Sequence, residues 1–429
     1  MPVFRLASEF SERAAVQDRH GEYSYRGLLL SSNQLASQVA STLGRPAPGL
    51  RIAFLCPNNA TYVIAQWATW IGGHTGVVLT HSNLHHQASS LSQAWDITAK
   101  DVVLHTLPLH HMHGIVNGLL CPLYVGAKCV MMPQFDSSVV WKHLLAIKVP
   151  AKDRINIFMA VPTMYLKLLQ EYDDIFSKNE RMKEYVRAAC QKNVRLMISG
   201  SASLPAPVFE KWEEATGHRL LERYGMSEVG MALSNPLRGE RRPGFVGYPL
   251  PHIQVRLAQI APGKNEYQTL AEGNSHSTRI LQPGKQEVEG ELLIRGPTVF
   301  RCYWNKPKAT AKEFTTDGWF RTGDTVQYVE GKGYRIVGRT SVDIIKTGGY
   351  KVGALEVETH LLTHPNIMDC AVVGVPDITW GQKDHMAPYA IPTLLRCVDR
   401  LPKNSMGKVN KKELISTLFP ESSQQSHAP

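Results

Sequence analysis

No C-x-x-C pair occurs in this sequence. Its seven cysteines (Cys56, Cys121, Cys129, Cys190, Cys302, Cys370 and Cys397) are odd in number and scattered, which excludes a disulfide framework and fits free thiols in a reducing compartment. A bilayer-length apolar run is missing too. The most apolar stretch, 114–132, contains Asn117, Pro122 and Lys128; it reads as a buried helix followed by a buried strand, with no integral membrane segment. The opening MPVFRLASEFSERAAVQDRH has no apolar signal core, and it mixes Arg5 and Arg13 with Glu9 and Glu12, a poor transit peptide. Internal repeats and nucleic-acid-binding signatures are also lacking, which sets nucleic acid aside as a partner.

What is present is basic: 47 Lys and Arg against 37 Asp and Glu give a net charge of +10. That excess favours anionic ligands such as nucleotides or acidic metabolites. Its 429 residues are enough for two or three domains. Short β-branched runs alternate with amphipathic stretches, the mark of an α/β fold. Strands are expected at 51–56, 101–107, 128–132, 155–161 and 194–199, and helices at 60–71, 163–172 and 207–216. Near-continuous apolar strands imply a sheet covered on both faces. From about 250 the alternation at 253–257 and 291–296, around a polar insert at 262–289, reads as a smaller antiparallel β unit. A boundary falls near Gly338–Arg339. We expect a large domain over 1–338, a small mobile α+β domain over 339–419, and a disordered polar tail over 420–429.

Four blocks carry candidate chemistry. In SGSASLP (199–205) and ERYGMSE (222–228), Gly200, Ser201 and Ala202 allow backbone to approach a flat ligand. Tyr224 offers a ring for stacking, Ser227 a hydroxyl for phosphate, and Glu228 a hard oxygen for Mg2+. The bland alternative is a strand–turn–helix with Glu228 solvated. In DGWFRTGD (317–324), Asp324 can accept from ribose hydroxyls, or simply be a turn residue. In GRTSVDIIKTGG (338–349), Arg339 can pair with phosphate. In PKNSMGKVNKK (402–412), Lys408 is a mobile cation or part of a solvated basic tail.

Taken in order with LPLHHMHG (107–114), these blocks resemble the adenylate-forming superfamily of acyl-CoA synthetases, luciferases and peptide-synthetase adenylation domains, over nearly the whole chain. ERYGMSEVGMALSNPL and RRPGFVGYPLPHIQVRL are similar to its malonate-activating branch. The resemblance implies that a carboxylate attacks the α-phosphorus of Mg·ATP to give an acyl-adenylate, and that the coenzyme A thiol then displaces AMP. It implies Lys408 as the catalytic lysine, Glu228 as Mg2+ ligand and Ser227 on phosphate. Gly200, Ser201, Ala202, Tyr224 and Gly225 match the adenine slot, and Asp324 and Arg339 the ribose contacts. Gly349 matches the pantetheine tunnel, His111 the gate of the acyl pocket, and a hinge falls at Arg339–Asp343. Arg223 and Arg241 match the grip on the second carboxylate of malonate, which could not be buried without a cation; surface arginines are the alternative. Reading His105, His110, His111 and His113 as a zinc cluster lacks a ligand set with zinc spacing. By resemblance alone the site of action is the mitochondrial matrix, in fatty acid synthesis or malonate clearance, with the cytosol as alternative.

The chain also departs from that pattern. GVVLTHSNL (76–84) is similar to the family segment just after its phosphate loop, whereas AQWATWIGGH (65–74) is similar to a helix well before it. Between Gly73 and Thr75 the Ser/Thr/Gly-rich loop and its flanks are absent, and a smaller gap falls near 383–387. The expectation is a weak or inactive malonate-activating ligase, an alternatively spliced or incompletely predicted product; the rival is a non-catalytic nucleotide- or partner-binding remnant. A luciferase-like oxygenase has nothing but the shared motifs in its favour.

Overall fold

The structure is a computed structural model. It describes residues 3–43, 59–71, 78–260, 267–303, 306–340, 343–347, 350–362, 364, 367, 370–373, 397, 398, 401, 409 and 411–418.

Strands β1 (Ala14–Asp18), β2 (Gly21–Ser24), β3 (Val102–His105), β4 (Lys128–Met131), β5 (Ile157–Ala160), β6 (Leu196–Ser199) and β7 (Leu221–Met226) build the first half of one sheet. They run in the order β7-β6-β5-β3-β4-β1-β2, parallel from β7 to β1. β8 (Gly230–Ser234), β9 (Phe245–Pro249), β10 (Gln254–Ile260), β11 (Tyr267–Gly273), β12 (Thr278–Ile280), β13 (Glu287–Arg295), β14 (Phe320–Val329) and β15 (Gly333–Arg339) continue it antiparallel. The result is a mixed α/β fold with a 15-stranded sheet among the described residues.

The expected parallel strands are thus present, apart from 51–56, which lies outside the described residues. All four residues of β4, β5 and β6 are buried, and the two-residue period of a strand divides their neighbours between two cores. Val103, Ile157, Met159 and Ile198 face one cluster with Trp67, Leu91 and Trp95. Leu104, Phe158, Ala160 and Met197 face the other, with Trp141, Tyr165 and Trp212. Helices Ala60–Ile71 and His81–Trp95 cover the first face; Ser137–Leu144, Pro162–Ile175 and Ala206–Thr216 cover the second. The apolar run 114–132 becomes a π-helix, His113–Leu120, then a short α-helix and β4. The polar insert 262–289 holds β11, β12 and the start of β13, within the antiparallel unit expected there. β11 and β12 pair with each other and β11 with β10, while Leu270 and Ala271 are buried and Ile280 packs against the same core.

At the amino ends of β3, β5 and β6 the sheet is clamped by Asp101. It takes both Nε and a terminal nitrogen of Arg195 at 2.7 and 2.8 Å, and the Asn156 amide at 2.9 Å. That leaves the carboxyl ends, where open α/β sheets bind ligands. After β15 a separate hairpin, β16 (Ile344–Thr347) and β17 (Tyr350–Gly353), leads into helix Ala354–Leu361. Helix Lys411–Leu418 is anchored beside it through Lys411, whose ammonium lies 2.7 Å from both Asp343 and Glu358.

The ring of Trp212 stacks on Trp141 at 5.7 Å and meets Tyr165 edge-on at 4.8 Å. Trp212→Ala is expected to destabilise the chain by about 3–5 kcal/mol, measured as a lower urea midpoint with unchanged slope.

Candidate active site

β6 ends at Ser199, and the chain turns through Gly200 and Ser201 before helix Ala206–Thr216. Ser201 takes the left-handed region at φ +74°, uncommon for any residue but glycine or asparagine. The turn forms one wall of a cavity of about 620 Å³ whose other walls come from β7, β14, β15 and helix Ala354–Leu361. Among the sequence candidates, Gly200, Ser201, Ala202, Arg223, Tyr224, Gly225, Asp324 and Arg339 all line it.

Arg223 is 4% exposed and has no carboxylate partner among the described residues. Burial without an anion pulls its guanidinium down to about 9, which leaves it cationic at neutral pH. The guanidinium lies flat against Gly200: a Cβ there would sit 2.6 Å from Cζ. The glycine expected to admit a flat ligand is therefore required first by the arginine. Gly225 is fixed for a different reason, since a Cβ would fall 2.2 Å from the Gly230 carbonyl oxygen across the β7–β8 pair.

Asp324 and Arg339 are cross-strand partners in β14 and β15. Arg339 Nε donates to Asp324 at 2.9 Å, and a second nitrogen donates to the Thr322 carbonyl at 2.7 Å. The Tyr224 hydroxyl donates to the other Asp324 oxygen. Burial first, and the Asp324 charge second, push the tyrosine well above its ordinary value, so it stays a neutral donor. Three candidates that lie up to 115 positions apart in the chain are joined into one polar wall.

The structure does not bring every candidate to the cavity. Ser227 and Glu228 sit in the turn after β7, outside its lining. Glu228 accepts from the Tyr303 hydroxyl at 3.0 Å and pairs with no cation among the described residues; a hard, half-buried carboxylate of this kind fits a Mg2+ ligand. His111 is also off the lining, its ring 4.3 Å from His110. Arg241 is the clearest correction: its guanidinium donates to the carbonyls of Pro236, Arg219 and Leu237 at 3.1, 2.7 and 2.6 Å. The loop 236–241 folds around it, so its donors brace backbone and do not face the cavity. Lys408 and Gly349 lie outside the described residues.

Three residues that sequence reasoning gave no role belong here. Glu222 lines the cavity at 6% exposure, accepts one bond from Gly244 N at 3.0 Å, and is raised to about 8 by burial. A charged residue beside another in a strand flanked by apolar ones was the available signal. Lys411 also lines the cavity; burial raises the carboxyl of Glu358 beside it, with Lys411 working against that rise. His113, not His111, is the histidine that reaches this wall, with Nδ1 3.2 Å from Ser201 Oγ.

Upstream, helix His81–Trp95 starts on a reciprocal cap: Thr80 Oγ1 accepts from Asn83 N at 3.1 Å, and Asn83 Oδ1 from Thr80 N at 2.8 Å. The Asn83 amide also reaches the Pro297 and Val299 carbonyls at 2.7 and 2.9 Å. The start of this helix is thereby docked on the stretch that holds Phe300 and Tyr303, next to Glu228.

Comparison with known proteins places this geometry. The profile of the AMP-binding enzyme family matches residues 72–304. The mitochondrial malonate–CoA ligases of Xenopus laevis and Homo sapiens are each 42% identical, over 98% of this chain and 92% of theirs. The Xenopus alignment runs over 540 residues against the 429 present here, so at least 111 of its positions have no counterpart in this chain. Among solved structures, ATP-bound MatB from Rhodopseudomonas palustris shares the fold at 24% identity and a TM-score of 0.78, over 98% of this chain and 99% of that one. A malonyl-CoA ligase with methylmalonyl-CoA and AMP bound is 28% identical with a TM-score of 0.58, over 86% of each chain. The chain belongs to the AMP-binding enzyme family, as an AMP-forming acyl-CoA synthetase.

Proposed function

We propose that this chain is a malonate–CoA ligase in reduced form. Its cavity seats an adenylate and a short dicarboxylic acid, and joins the acid to AMP and then to coenzyme A. The observation that carries the malonate reading is Arg223: a buried guanidinium with no carboxylate partner among the described residues, on the wall of the cavity. An uncompensated buried charge is costly, and the second carboxylate of malonate would supply the missing anion. Names of the relatives point the same way, and their mitochondrial designation supports that compartment for this chain.

In this reading Asp324, fixed by Tyr224 and Arg339, accepts from the ribose hydroxyls, and the Tyr224 ring covers the base. Glu222, short of donors, accepts from the base's exocyclic amine. Glu228 would hold Mg2+, which supplies charge neutralisation at the phosphates, with the Ser227 hydroxyl beside it. Lys408 bridges carboxylate and α-phosphate. The large domain over 1–338 carries the cavity's main walls, and helix Ala354–Leu361 and Lys411 complete its lining.

The missing positions qualify the activity. We place most of them between Gly73 and Thr75, where the family's phosphate loop belongs. A loop of that kind gives backbone N–H groups to the outer phosphates, and loss of even one such donor lowers rates by about 10²–10³. The AMP half of the site keeps its residues. Binding of AMP with little turnover therefore follows, and this favours the remnant as second reading.

Incubation of the purified chain with ATP, coenzyme A and either malonate or acetate, followed by mass spectrometry, is expected to give traces of malonyl thioester that Lys408→Ala abolishes; robust turnover would show that the lost block is dispensable. In equilibrium titration, Arg223→Met should weaken malonate at least about tenfold while acetate changes by less than about threefold, and equal losses on both acids would remove Arg223 from that role. A third expectation concerns pH. The Glu222 carboxyl is raised from 4.5 to about 8, so its contribution to stability is full below 4.5 and lost as pH rises through 8. Glu222→Gln should thus match the native chain at pH 4.5 and exceed it in melting temperature at pH 9.

A further inference from the structure

The stretch after β13 holds Glu228 at two points. Phe300 N donates to the main-chain carbonyl of Glu228 at 2.6 Å, and the Tyr303 hydroxyl donates to its carboxylate Oε1 at 3.0 Å. Main chain and side chain of one glutamate are thus tied to residues three positions apart on the same short segment. Tyr303 is half-buried and lies outside the lining of the large cavity.

The tyrosine is itself fixed. Its ring centre lies 4.7 Å from that of Phe300, which stacks on Phe314 at 5.9 Å and meets Phe320 edge-on at 5.4 Å. Tyr303 N donates to Thr310 Oγ1 at 2.9 Å, and that hydroxyl donates to the Lys306 carbonyl at 3.0 Å, so the main chain at 303 is joined to helix Pro307–Lys312. From the other side, Asn83 holds the carbonyls of Pro297 and Val299, and Arg301 N donates to the Val78 carbonyl at 3.2 Å. One side chain can aim another only when packing and hydrogen bonds set its own place. Tyr303 meets that condition through both ring and main chain.

The oxygens of Glu228 then divide. An ionised carboxylate only accepts, through two oxygens. A phenol, with an ordinary pKa of about 10, is a donor at neutral pH. Oε1 takes the tyrosine hydrogen, while Oε2 has no donor among the described residues. The last torsion of a glutamate is broad when the carboxylate is left alone; a donor on Oε1 narrows it and gives Oε2 one direction.

We propose that Tyr303 is a positioning residue for the Mg2+ ligand, holding one oxygen of Glu228 so that the other meets the ion in a single orientation. Tyr303 acts through Glu228 and not on the nucleotide. Hydrogen bonds to ligating carboxylates are worth about 10–100-fold in metal affinity, so its hydroxyl affects the metal-loaded nucleotide and spares the bare one. This rests on the reading above in which Glu228 holds Mg2+, and does not depend on which acid the cavity takes.

The test titrates ATP into the full chain by calorimetry, once in Mg2+ and once in EDTA, without acid or coenzyme A. The ratio of the two dissociation constants is the gain in affinity that the metal confers. Tyr303→Phe removes the hydroxyl and keeps the ring on Phe300. It is expected to lower the gain about tenfold, with ATP in EDTA and AMP both bound within about twofold of the native chain. Glu228→Gln should lower the gain at least as far, and the double variant should add little to Glu228→Gln alone. A gain in Tyr303→Phe equal to or above the native one would overturn the role of Tyr303 and leave Glu228 as the ligand. Parallel losses with and without metal, or a lower melting temperature, would reduce Tyr303 to a packing residue and also overturn it. A native chain with no gain, or a gain that survives Glu228→Gln, would remove Glu228 as Mg2+ ligand and this inference with it; the malonate reading, tested at Arg223, would stand or fall separately.

Discussion

A single guanidinium, that of Arg223, sets the terms for one side of this cavity. It is enclosed midway along β7 with no carboxylate partner among the described residues. Everything close by makes room for it or answers to it. Gly200 has no side chain because the guanidinium occupies that space, and Ser201 bends into a left-handed conformation to reach it. A buried charge in such a place is tolerated only where something else gains from it, and a ligand anion is what the cavity offers.

The opposite wall follows another logic. Tyr224, Asp324 and Arg339 neutralise one another, so that side is preorganised and close to balanced in charge. One cavity therefore has a satisfied half and an unsatisfied half. The satisfied half suits a nucleoside, whose contacts are mostly neutral hydrogen bonds. The unsatisfied half suits an acid. Lys411, pinned between Asp343, which follows β15, and Glu358 of helix Ala354–Leu361, brings a further cation to the cavity lining.

Much of this was legible in the sequence. The strands at 102–105, 128–131, 157–160 and 196–199 announce themselves because burial on both faces leaves no room for polar alternation. The motif blocks found the cavity because they mark strand ends, where function gathers. Contacts made through space were less legible. That Arg241 would spend its donors on three carbonyls depends on how the loop 236–241 curls, and one chain's letters do not encode that path. Nor could spacing tell His111 from His113; both lie in one run, and the π-helical turn beginning at His113 determines which ring reaches Ser201. The hairpin β11–β12 was hidden by its polar outer face.

The cap on helix His81–Trp95 has a consequence for how such a chain can change length. Thr80 and Asn83 satisfy each other, and Asn83 is moored to the carbonyls of Pro297 and Val299. The helix thus carries its own starting signal and a berth on the stretch after β13, while His81 packs edge-on against Trp70 upstream. A change of length ahead of Val78 therefore leaves this helix its cap and its berth after β13.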